Sequence, residues 1–163
     1  MPNWTANNVL FVGKRKQLET LKDMLKSDEN DFDFNNIIPI PKELTDTVSG
    51  SENAKPDWQK EQSEELKAKY GADNWYDWSI DNWGTKWNAC NTEVEQRDGT
   101  LVYHFDTAWD CPREIVNALM RMKKTILKDI SINWECVHED GYEHEVIVDI
   151  EGEGHKSNEE TNH

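Results

Sequence analysis

The chain has 163 residues, 33 acidic against 18 basic, a formal charge of −15 and 36% hydrophobic residues. That length fits one domain with an insertion, and no apolar run is long enough to span a bilayer. The acidic surplus repels nucleic acid and anionic membranes and attracts basic protein surfaces, so neither direct nucleic-acid binding nor a membrane partner is expected.

The opening stretch MPNWTANNVL lacks the basic and apolar regions of a signal peptide, which predicts a cytoplasmic protein. Cys90, Cys111 and Cys136 are an odd number without close pairing, and read as reduced, buried thiols.

Residues 8–12 (NVLFV), closed by Gly13, predict a buried strand. Over 17–26, Leu18, Leu21, Met24 and Leu25 recur at helical spacing. Phe32 and Phe34 alternate with acids into IIPIP and predict a second strand, ended or held to an edge by its prolines. Residues 45–57 have loop composition. Asp57 is placed to cap a helix running to Tyr70, anchored by Trp58, Leu66 and Tyr70 and stopped at Gly71. The rest of that helix, with Glu61, Glu64 and Glu65, is expected in solvent.

Residues 74–88 (NWYDWSIDNWGTKWN) hold four of the eight tryptophans, Trp75, Trp78, Trp83 and Trp87. They predict a short helix stopped by Gly84, with Trp87 opening a strand. Residues 85–96 and 100–109 predict a hairpin joined at Asp98-Gly99. Leu101, Tyr103, Phe105, Thr107 and Trp109 alternate and mark its buried face, beside Val94, Thr92 and Cys90. The other face sets His104 against Glu93.

Asp110-Cys111-Pro112 opens a further helix with Ile115, Val116, Leu119, Met120, Ile126 and Leu127 inward. Ile130, Ile132, Trp134, Cys136 and His138 alternate as a strand, with Val146, Val148 and Ile150 as its partner. A two-residue Asp140-Gly141 loop puts these apolar sets on opposite faces. A three-residue loop, Glu139-Asp140-Gly141, aligns them and is the one expected. Residues 152–163 have the composition of a flexible acidic tail. The order predicts an α+β fold: a ferredoxin-like antiparallel sheet with helices on one face. A single domain would span 1–151, with a helical, Trp-rich insertion at 42–85.

In three stretches the sequence resembles a YubB-type ferredoxin-like-domain family of phage- and plasmid-encoded proteins: FNNIIPIPKEL (34–44), YGADNWYDWSIDNWGTKWNA (70–89) and FDTAWDCPREIVNAL (105–119). With the flanking strands, the resemblance covers most of residues 8–150. It implies the ferredoxin-like fold and a mobile-element origin. It implies no activity, cofactor or catalytic residue.

Asp73, Asp77 and Asp81 are spaced by four and would line one helical stripe. With Glu61, Glu64 and Glu65 they would steer a basic partner, while Trp75, Trp78 and Trp83 supply short-range affinity. The expected function is that of a non-enzymatic module, without cofactor, that occupies a basic surface on a host nucleic-acid-handling or defence protein, DNA mimicry included. The plainer account makes the carboxylates a solvated face and the tryptophans the joint between insertion and sheet. Two other functions stay open. One is a small enzyme or metal site using His104, His138 or His144, with the aligned hairpin setting His138 opposite His144 near Cys136. The other is a small-ligand domain with a Trp-lined pocket.

Overall fold

The structure is a computed structural model describing residues 3–139, 141, 143–150 and 153–160, with the backbone alone described for 143, 149–150 and 153–160. Its sheet is built from β1 (Trp4–Val12), β2 (Cys90–Arg97), β3 (Thr100–Ala108), β4 (Ser131–His138), β5 (Glu143–Ile150) and β6 (Glu153–Glu160). The strand order is β2-β3-β1-β4-β5-β6, and every pairing is antiparallel. The helices are α1 (Arg15–Leu25), α2 (Lys42–Thr45), α3 (Asp57–Tyr70), α4 (Trp75–Trp83) and α5 (Arg113–Met122). The chain leaves β1 through α1 and leaves β3 through α5, and each crossing skips one strand. Two such split crossings give the ferredoxin-like α+β arrangement.

One core fills the helical side. Val9, Phe11, Tyr103, Phe105 and Trp134 from the sheet meet Leu18, Leu21 and Leu25 of α1 and Ile115, Val116 and Leu119 of α5. Leu44, Leu66, Trp78 and Trp83 join the same core, so the segment between α1 and β2 packs on the sheet.

Central β1 is longer than the apolar run 8–12 predicts. Its buried alternation continues backward through Thr5 and Asn7, which hydropathy does not reveal. Asn7 is accommodated because the Trp134 indole donates to its Oδ1 and its amide donates to Thr107 Oγ1.

The strand expected over 32–40 is absent. Phe34–Asn36 form a 3-10 turn in which Asp33 accepts from the Asn35 N–H and Asn88 Oδ1 accepts from the Phe34 N–H. Side chains thus satisfy the donors that a sheet would have taken, and Phe32 and Phe34 are still fully buried. The Asp98-Gly99 hairpin has the expected register, with Arg97 opposite Thr100 and Glu93 opposite His104. A bulge between Cys90 and Glu93 then shifts Cys90 opposite Asp106. The strand also starts at Cys90 and not near Trp87.

Further corrections concern the second half. α5 ends at Met122, so Ile126 is exposed while Leu127 remains inside. The β4–β5 register pairs Val137 with His144 and Trp134 with Ile147, as the Asp140-Gly141 alternative requires. Val146 and Val148 therefore share no face with Trp134, and Glu145 takes the inner position. That register is stabilised by Arg113, whose Nη2 lies 2.5 Å from Glu145 Oε2. Where an acidic tail was expected, Glu153–Glu160 pair with β5 as an edge strand; residues 152 and 161–163 of that tail lie outside the described residues. Cys111 and Cys136 are not separate thiols but a disulfide tying the approach to α5 onto β4. Among the described residues no helix is long and apolar enough to cross a membrane.

Candidate protein-binding surface

The Trp segment folds as its punctuation predicts. Asn74 accepts from the Asp77 N–H to cap α4, and Gly84 ends the helix in the left-handed region, at φ 82°. Gly84 also allows a close approach, because a Cβ there would stand 3.1 Å from the Arg113 backbone nitrogen. The end of α4 thus abuts the start of α5.

The expected stripe of carboxylates does not form. Asn74 is extended, so Asp73 lies before the helix and outside its four-residue periodicity. Asp73 is 2% exposed and receives hydrogen bonds from Ser63 Oγ (2.6 Å), Asn74 Nδ2 (2.8 Å) and Lys55 Nζ (3.3 Å). Burial pushes its pKa up, but those donors outweigh burial and hold it below the ordinary carboxylate value. Lys55 is itself buried, and its contacts with Glu52 and Asp73 raise its pKa against desolvation. Asp73 is therefore a structural ion and unavailable to a partner. Asp77, Asp81, Glu61, Glu64 and Glu65 are exposed.

Two of the three candidate tryptophans also turn inward. Trp78 and Trp83 meet edge to face at 5.4 Å, and Trp83 donates its indole N–H to Ile38 O. With Phe34 against Trp83, these rings build the joint between insertion and sheet. Trp58, expected as an anchor of α3, is exposed instead, while Gln59 and Ser63 of the same helix are buried.

The aromatics that do reach solvent gather elsewhere. Trp109 was expected to close the buried face of β3, but its backbone is left-handed (φ 76°) and its side chain is 41% exposed. Its ring meets Tyr76 of α4 at 5.8 Å, and Tyr76 meets half-buried Trp75 at 5.9 Å. Trp87, on the link from α4 to β2, is also exposed and lies 6.2 Å from Trp4 at the start of β1. Between them sits Lys86, with Nζ 4.6 Å from the Trp87 ring, 5.2 Å from Trp109 and 5.8 Å from Tyr76. A cleft of about 230 Å³, lined by Asn3, Trp109, His138 and Glu139, borders the patch.

Beside the patch, Asp110 pairs with Arg113 at 2.8 Å and lies 3.6 Å from His138 Nε2. Burial lowers the Arg113 pKa, yet Asp110 and Glu145 more than offset it and keep the guanidinium charged. His138 and His144 stand on opposite sheet faces, since Val137 and not His138 pairs with His144. On the helix-free face, His104 lies 2.5 Å from Asn8 Oδ1, Asn8 donates to Glu135 at 3.2 Å, and Glu135 is 3.3 Å from His144. Among the described residues no group of three or more His, Cys, Asp or Glu side chains could hold a metal ion.

Comparison with known proteins adds a relationship of shape. The chain is similar to the crystal structure of protein api92 from Yersinia pseudotuberculosis, of the DUF1281 family. The TM-score is 0.57 and the identity 8%, over 100% of this chain and 99% of that one. The likeness is one of fold. No family model matches the sequence, and no curated protein does.

Tyr76 and Trp87 both lie in the visible Trp-rich stretch 74–88, and Trp109 joins them from just past the end of β3. Trp109 was hidden by its place in a perfect strand alternation. No sequence signal marks its left-handed backbone.

Proposed function

We propose that this chain is a non-enzymatic, acidic protein-binding module that engages a basic surface on its partner through the Tyr76–Trp87–Trp109 patch. The observation that carries the reading is Trp109. Holding a bulky residue left-handed costs about 1–2 kcal/mol, and here the cost is met while presenting an indole to water. Exposed, rigidly placed tryptophans are the side chains most enriched in binding hot spots. The charge of −15 supplies the steering, with Glu61, Glu64, Glu65, Asp77 and Asp81 in solvent.

The YubB-type resemblance extends this reading to a mobile-element protein that inhibits a nucleic-acid-handling or defence factor of its host. In that setting the carboxylates occupy a surface built for phosphates.

The test is fluorescence anisotropy with a short labelled Arg/Lys-rich peptide, against a neutral peptide of equal length. Binding should be selective for the basic peptide and weaken as salt rises. The double variant Trp87→Ala/Trp109→Ala should lose about tenfold or more in affinity. Equal binding of both peptides, or an unchanged double variant, contradicts the reading.

A further inference from the structure

The Tyr76–Trp87–Trp109 cluster is an aromatic cage, and in the free protein it already holds a cation of its own. Lys86 Nζ lies within 6 Å of all three ring centroids, the range in which a ring quadrupole attracts a cation. Among the described residues this ammonium makes no salt bridge or hydrogen bond, in a chain with 33 acidic residues. The rings are therefore what receives the cation, and no carboxylate holds it in place. Two of those rings are substantially open to solvent.

We infer that the cage is a subsite for an arginine side chain of the basic partner, with Lys86 as a weakly held resident that the arginine displaces. This rests on the protein-binding reading above and names the chemistry its central pocket takes. Lysine is a poor permanent occupant because its ammonium is compact and strongly hydrated. A guanidinium is planar, sheds water more readily and stacks on indole faces. Displaced Lys86 swings into solvent on a flexible stem and regains its hydration. An acidic protein surface gathers basic partners, so an arginine is available at high local concentration.

The experiment titrates isotope-labelled protein with blocked arginine amide and follows the eight tryptophan indole N–H signals, with Trp87→Phe and Trp109→Phe variants for assignment. The signals of Trp87 and Trp109 should move, while those of Trp83 and Trp134, which donate to Ile38 O and Asn7 Oδ1 in the interior, should not. Blocked citrulline amide, the neutral isostere, should leave all eight in place. An exposed cation over rings is stabilised by a factor of about two to five, so removing the resident with Lys86→Ala should tighten arginine binding about three- to sixfold.

Equal shifts with citrulline, or no tightening in Lys86→Ala, overturn the inference. So does a response to tetramethylammonium as strong as that to arginine, because the cage would then select a compact cation. Loss of the arginine response with retained basic-peptide binding sinks this subsite alone. An arginine response without selectivity for the basic peptide sinks the protein-binding reading instead.

Discussion

Replacing Asp73 with alanine separates a structural carboxylate from a partner-binding one. Asp73 and Lys55 are 2% and 7% exposed at the side chain, and the variant leaves the ammonium without its buried counterion. Removing one partner of a buried pair costs about 3–5 kcal/mol. Lys55 keeps Glu52 at 2.9 Å, but that carboxylate is 67% exposed, so the expected loss is at the lower end, about 3 kcal/mol. Glu52→Ala, which removes only the exposed partner, should cost less than about 1 kcal/mol.

Urea unfolding followed by tryptophan fluorescence measures both, with an unchanged slope as the sign of an unaltered denatured state. The pH dependence adds a check. The Asp73 pKa is lowered on folding, so its contribution is fully present above its ordinary value of 3.8 and is lost as pH falls through the folded value. The gap between wild type and Asp73→Ala should therefore narrow only in acid. A loss below 1 kcal/mol at neutral pH, or a gap that does not change on acidification, refutes the buried-ion account.

Trp109→Gly should weaken basic-peptide binding, by less than the double variant does, while changing stability by less than about 1 kcal/mol. Relief of the left-handed backbone, about 1–2 kcal/mol, offsets loss of the Tyr76 ring contact, about 0.5–1.5 kcal/mol. A large destabilisation in chemical denaturation would instead make Trp109 a packing residue. Reducing the Cys111–Cys136 bridge, which spans 25 residues, should lower stability by about 3.5 kcal/mol, and alkylation with mass spectrometry should find Cys90 as the reactive thiol. Identical unfolding with and without reductant contradicts the bridge. Tyr103 is fully buried and its hydroxyl has no hydrogen-bond partner among the described residues, so Tyr103→Phe should raise stability by about 1 kcal/mol in the same assay. A loss of that size would mean the hydroxyl is satisfied.

Local rules carried the sequence reading where the determining chemistry was local. Gly71 and Gly84 end α3 and α4, and Asp98-Gly99 sets the β2–β3 register down to the His104–Glu93 pair. The reading failed where a distant residue decides. Glu145 enters the inner face of β5, where Arg113, 32 residues earlier, pairs with it. A preference for aligning valines could not anticipate that. Thr5 and Asn7 extend β1 because His138 supplies a partner to Thr5, and Thr107 and Trp134 supply partners to Asn7, each 100 residues or more away in sequence. At the site, spacing by four counted Asp73 into a helix that begins after it. The cage was illegible for a related reason: Tyr76, Lys86 and Trp109 are brought together by the packing of α4 against the start of α5, and by a backbone conformation that tryptophan seldom adopts.

The most direct measurement is chemical-shift mapping of the labelled protein with the Arg/Lys-rich peptide at saturation. Perturbed backbone and indole signals should centre on Tyr76, Lys86, Trp87 and Trp109 and leave Lys55 and Asp73 silent. Perturbations centred on His104, Asn8 and Glu135 across the helix-free sheet face would contradict the account.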